Sequence, residues 1–208
     1  MTSPSPSADE PVYQDRVYRS PMAIVGGVLM LALILWLCGD AVLRGEDAAP
    51  WFGAAAALFA VPLTVAFTLR PAVYANADRL RVRNPFRTVE LPWASVDALR
   101  SSYSVEALSG GAKYQLWAVP VSLRDRKKAA RAQARQAGAA GGTADPHAVH
   151  APPPRAQADR TVDELRELAE RGAGRPGAQG SPRVRWAYEV IAPALAGAVL
   201  LIVLLVTR

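Results

Sequence analysis

RLRVRNPFRTVEL, Arg79 to Leu91, alternates apolar and charged side chains on either side of an Asn-Pro pair. Leu80 and Val82 fall on one face of an extended chain and Arg79, Arg81 and Arg83 on the other, the period of a half-buried strand. Asn84 suits the first position of a turn and Pro85 presets the backbone of the next. TVEL, Thr88 to Leu91, then alternates again, so Leu80 to Leu91 reads as a β-hairpin. Pro92 and Trp93 end it. Ala98 to Val105 and Lys113 to Pro120 are two further strand candidates on either side of the Gly110-Gly111 turn signal. This is a small antiparallel domain.

The sequence around that domain has a different character. Met22 to Leu43 is a 22-residue apolar run with Asp40 as its only ionisable group, and Trp51 to Leu69 carries no charge at all. Ala187 to Val206 is equally apolar apart from Glu189 near its start, behind Arg183, Arg185 and Trp186. About 20 apolar residues in a helix cross the roughly 30 Å hydrocarbon core of a bilayer, so each run is long enough to span. The first is too long, and too far from the start, for the apolar region of a signal peptide. Buried core helices are the competing reading. Only Arg44 to Pro50 joins the first two runs, which therefore form an antiparallel hairpin.

Four of the 24 basic residues, Arg16, Arg19, Arg44 and Arg208, lie outside the stretch from Arg70 to Trp186, which holds the other 20. By the positive-inside rule, the N-terminal tail and the middle segment belong in the cytoplasm of a multi-pass protein of the cell membrane. The expected organisation is a flexible tail over 1–21, a two-helix transmembrane hairpin over 22–69, the β domain over 70–124 and a basic, disordered insert over 125–160. An amphipathic closing helix over 161–173, a linker over 174–186 and a third transmembrane helix over 187–206 complete it. The insert is basic from Arg124 to Arg135 and then rich in Ala, Gly and Pro, too poor in apolar residues to offset chain entropy. TVDE at Thr161 to Glu164 matches a capping box with Thr161 as N-cap, and Val162, Leu165, Leu168 and Ala169 share one helical face.

The stretch from Val73 to Leu99, with Leu80 to Asn84, the following strand and the Pro92-Trp93 pair leading into Val96, resembles a bacterial PH-like domain. It is similar to that of actinobacterial membrane proteins grouped with the low molecular weight protein antigen 6, and the two preceding spans are similar too. The resemblance implies an antiparallel barrel of short strands closed by a C-terminal helix. The fold class is then an α+β membrane protein: a transmembrane hairpin, a PH-like β domain with its closing helix, and a C-terminal span. The insert and the third span depart from that family, which offers no catalytic residues to carry over.

Arg79, Arg81 and Arg83, close behind the second span, are candidate contacts for anionic lipid, with Arg124, Arg126, Lys127 and Lys128 as a second cluster. A solvated strand face and a charged linker are the plainer alternatives. Trp93 is expected to pack between the sheet and the helix bearing Leu165 and Leu168, with Leu80 and Val82 in the same core. His147 and His150 have metal-ligand spacing but no third ligand nearby, and one cysteine, Cys38, excludes an internal disulfide and a multi-cysteine zinc site. Asp40 and Glu189 raise a proton-relay reading only weakly, because both lie near a span end. No phosphate-binding glycine motif, cofactor motif or Ser/His/Asp set can be assembled, so no enzyme activity and no cofactor are expected. Nucleic acid is not expected either, since no aromatic residues interleave the charge. The expected function is a non-catalytic adaptor or binding module at the membrane, engaging the bilayer, anionic phospholipid, or a membrane or cytoplasmic protein. The alternative is a structural or regulatory subunit of an envelope complex acting through its spans.

Overall fold

A computed structural model of the chain describes residues 15–121, 124, 127, 130–132, 134 and 157–207. In chain order the elements are β1 (Arg16–Tyr18), α1 (Pro21–Arg44), α2 (Ala49–Thr64), β2 (Ala72–Ala75), β3 (Arg79–Arg83) and β4 (Arg87–Pro92). A 3-10 turn at Trp93–Ser95 leads to β5 (Ala98–Ser101), β6 (Val105–Ser109) and β7 (Ala112–Gln115). Then follow α3 (Gln157–Gly172), a 3-10 turn at Pro176–Ala178, β8 (Arg183–Trp186) and α4 (Tyr188–Val206).

Three helices are long and apolar enough to cross a bilayer: α1, α2 with the π-helical turn Val65–Leu69 that continues it, and α4. In their most apolar stretches only 6%, 17% and 17% of the residues are buried. Helices of a soluble core would be covered, whereas here Leu29, Trp36, Leu195, Ile202 and Leu205 stand outward. α2 lies between α1 and α4 and packs against both. Ser20 begins α1 by accepting the Ala23 amide on its hydroxyl, with Pro21 in the first turn, where a missing N–H costs nothing.

The domain between the helices is two antiparallel sheets. The larger has the order β1-β2-β3-β4-β8 and the smaller β5-β6-β7. In the hairpin Leu80 faces Leu91 and Val82 faces Val89, all four fully buried. Val73 and Ala75 of β2, Leu99, Val105 and Ala107 of the smaller sheet, and Val162 and Leu165 of α3 complete one core. Leu168 packs at its margin. Asn84 joins the sheets at one corner: its side-chain amide donates to the Gln115 carbonyl at 2.8 Å and its side-chain oxygen accepts the Trp117 amide. α3 is tied at both sides, by Tyr18 donating its hydroxyl to Glu164 at 2.9 Å and by the Arg166 guanidinium on the Leu99 carbonyl. Burial, followed by the Glu164 hydrogen bond and charge, pushes the Tyr18 phenol up to about 12.

Several boundaries differ from those read in the sequence. Residues 16–18, assigned to a flexible tail, form β1, because the exposed edge of β2 offers them a ladder. Residues 183–186, assigned to a linker, form β8 on the opposite edge, against β4. α3 starts at Gln157, not Thr161, so Thr161 lies buried inside the helix and is not its N-cap; Asp159 supplies the acidic first turn and accepts the Ser101 hydroxyl. The candidate strand Ala98 to Val105 is broken by a turn in which the Ser102 amide donates to Ser104, and β7 ends at Gln115, where Asn84 takes over the backbone groups. Within the basic insert, the described residues 124, 127, 130–132 and 134 are helical, as Ala, Arg, Lys and Gln favour. The stretch from Gly138 to Arg155, with His147 and His150, lies outside the described residues.

Candidate functional site

The inner face of the larger sheet is apolar, so its outer face carries every alternate residue of the same strands. The register sets these residues in rows. One row runs Tyr74, Arg81, Glu90, Arg183, and the next, toward the helices, runs Ala72, Arg83, Thr88, Arg185. All of them but the buried Ala72 line a cleft of about 510 Å³ with Arg70, Trp186 and Glu189 at its base. Five arginines against two glutamates leave a surplus of three positive charges there.

The two rows are not equivalent. Arg81 forms an ion pair with Asp15 at 2.8 Å and lies 4.8 Å from the centre of the Tyr74 ring, and Glu90 stands between Arg81 and Arg183 in the register. In the row nearer the helices only Thr88 separates Arg83 from Arg185. Burial alone would raise the Tyr74 phenol, but hydrogen bonds from Arg19 and Arg83, and their charges, outweigh it and hold the phenol below the usual tyrosine value. The face is electropositive.

Arg70 organises the base. Its guanidinium is only 9% exposed and donates to the Asn84 carbonyl, to Glu189 at 2.9 Å and to the Thr88 hydroxyl. It therefore links the end of α2, the hairpin turn, β4 and the first turn of α4. The Ala187 amide donates to the Phe86 carbonyl alongside, and Phe67 of α2 meets Phe86 edge-on at 5.3 Å. Trp117, also against Phe67, and Trp186 and Tyr188 are exposed at this same end of the sheet. Aromatic rings with one wet side are characteristic of a bilayer interface.

The sequence-derived candidates separate on this surface. Arg79 lies at the far end of β3, opposite Pro92, beside a smaller hollow near Gly177 and Gly180. Arg81 is taken by Asp15, and Arg83 alone of the three reaches the helix-proximal row. Arg124 and Lys127 are exposed on helical residues, while Arg126 and Lys128 lie outside the described residues. Trp93, Leu80, Val82 and Leu165 are core, with Leu168 half-buried. Asp40 and Glu189 are each held by an arginine near a helix end, Arg44 and Arg70. Arg183 and Arg185, not among the candidates, belong to the sheet; the signal for this is the alternation of RVRW, the same as that of RLRVR.

Residues 70–171 match a family model described as a bacterial PH domain. A search of curated proteins and a search of solved structures each returned no match. The match begins at the arginine under the sheet and ends in α3, so it encloses β2 to β7 and the closing helix and leaves out β1 and β8, the two edge strands that lead into α1 and α4. Between its apolar helices this chain carries a bacterial PH domain.

Proposed function

We propose that the protein is a non-catalytic, membrane-anchored module whose PH domain binds anionic lipid at the cytoplasmic surface of the cell membrane. The observation that supports this best is how the domain meets the helices. Only Arg19 and Ser20 separate β1 from α1, Arg70 and Pro71 separate α2 from β2, and Ala187 separates β8 from α4. Three such short joints at one end of one sheet leave no slack, so the arginine face is held in one orientation at the depth of the headgroups. Each basic residue near an anionic surface contributes about 1 kcal/mol of attraction. PH domains are generally binding modules, which accords with this reading.

Two measurements test it. The full chain, purified in a neutral detergent with the lipid it retains, should hold anionic phospholipid in excess of its share of the source membrane, and lose that excess in high salt. Retention in proportion to the membrane's own composition would remove the lipid reading and favour a protein partner. In a Cys38→Ser background, Glu46→Cys in the α1–α2 loop should react with an impermeant thiol reagent in intact cells, while Tyr103→Cys, whose parent residue is 92% exposed, should react only after lysis. The reverse pattern would put the domain outside.

A further inference from the structure

We infer that the cleft over Thr88 is a site for a single phosphate-bearing lipid headgroup, with Arg83 and Arg185 as its ligands. This rests on the membrane-anchored reading above and narrows it from a charged surface to a built site. Neighbouring strands lie about 4.8 Å apart, so Arg83 on β3 and Arg185 on β8 flank Thr88 on β4 with their backbones roughly 10 Å from each other. Two like charges sharing a sheet face across one small residue repel, and an anion between them removes the repulsion. The preceding row has Glu90 in that place; this row has a hydroxyl, which can donate to a phosphate oxygen. Arg83 spends only a 3.4 Å contact on the Tyr74 hydroxyl, and Arg185 feels the Glu189 carboxylate at the cleft base, which is itself paired with Arg70 at 2.9 Å. The cleft is of the size that takes a small polar ligand.

A lipid rather than a soluble phosphate is the occupant because this row adjoins the helices. Arg83 pairs with Ala72, three residues beyond the end of α2, and Arg185 lies three residues before α4, beside the exposed ring of Trp186. A phosphate held there leaves its acyl chains level with the first turn of α4.

The test uses the full chain in neutral detergent, titrated with phosphatidylglycerol, with phosphatidylcholine and with glycerol 3-phosphate, the bound molecules being counted by native mass spectrometry. One phosphatidylglycerol should bind ahead of phosphatidylcholine, and glycerol 3-phosphate should bind far more weakly. Arg83→Gln and Arg185→Gln should each weaken that first binding about tenfold, the scale of one charge-assisted hydrogen bond, with an unchanged thermal transition. Arg79→Gln, on the same strand as Arg83 but at its far end, should leave it unchanged. Equal, small losses in all three variants would overturn the site and leave diffuse attraction to anionic lipid standing. No preference for phosphatidylglycerol over phosphatidylcholine would overturn the site and the lipid reading together. Glycerol 3-phosphate binding as tightly as the lipid would overturn the assignment to a lipid headgroup.

Discussion

Replacing Trp93 with alanine is expected to cost roughly 3–5 kcal/mol, the range for truncating a buried aromatic side chain and a large part of a small domain's stability. The indole is 1% exposed at the seam between the larger sheet and α3. Its ring N–H donates to the Asn76 carbonyl at 2.8 Å, and its backbone amide donates to Asp78. Asn76 in turn accepts the Asp78 and Arg79 amides on its side-chain oxygen, so the indole supports the turn that starts the hairpin. α3 approaches so closely at Gly172 that a Cβ there would stand 2.5 Å from the indole Cδ1 and from the Ala77 carbonyl oxygen. Truncation therefore removes the apolar contact, leaves a cavity under α3 and orphans the Asn76 carbonyl. Trp93→Phe should recover most of the packing and lose about 1–2 kcal/mol for the hydrogen bond and residual space. Trp51→Ala, at a ring 70% exposed on α2, should leave the domain's stability unchanged. Denaturant unfolding of the full chain in micelles, followed by the sheet signal, is the measurement. A Trp93→Ala midpoint equal to that of the parent would show the indole to be dispensable for folding.

The importance of Trp93 could be read from its place after a strand-ending proline, and the hairpin could be read from strict alternation, because both signals are local. The apolar helices were legible for the same reason, since length and absence of charge are properties of one segment. What escaped were the edges of the sheet. β1 is three residues long and β8 four, so even the alternation of RVRW covers only two periods, and each sits between charged sequence and an apolar run that dominates any local average. Their partners, Tyr74 of β2 and Glu90 of β4, lie dozens of residues away, so pairing is decided by which ladder edges the folded domain leaves open. The arginine cleft was missed as a unit for that reason. Its members come from five separate stretches of chain, Arg70, Tyr74, Arg83, Thr88 with Glu90, and Arg185, and only the register brings them into rows. The start of α3 shows the opposite error: the capping signature at Thr161 is not used, because the helix already begins at Gln157, with Asp159 in its first turn accepting the Ser101 hydroxyl, and runs on through Thr161.

Gly197→Leu should have the second large effect, separating α4 from α2. A Cβ at Gly197 would fall against the Phe59 backbone nitrogen and 2.8 Å from both the Leu58 carbonyl carbon and the Phe59 Cα. All three are backbone atoms, which cannot move aside as the end of a side chain can. Small residues permit this close approach between apolar helices, where association depends on packing because lipid tails are as apolar as the side chains. The contact also falls at a weak point of α2, since Pro62 has no N–H to donate to the carbonyl of Leu58. Overpacking of a core costs about 1–3 kcal/mol when side chains can rearrange, and a clash with helix backbone should reach or exceed the upper end. Because only Ala187 lies between α4 and β8, the displacement should also loosen β8 from β4 and weaken the ion pair of Arg70 with Glu189. Gly26→Leu is the matched control: it adds the same side chain to an apolar helix at a glycine whose Cβ would meet nothing within 4 Å. In unfolding measurements of the full chain in mixed micelles, Gly197→Leu should lower stability by roughly 3 kcal/mol and Gly26→Leu by less than about 0.5 kcal/mol. Similar losses in the two variants would mean that α4 is not seated on α2 through Gly197.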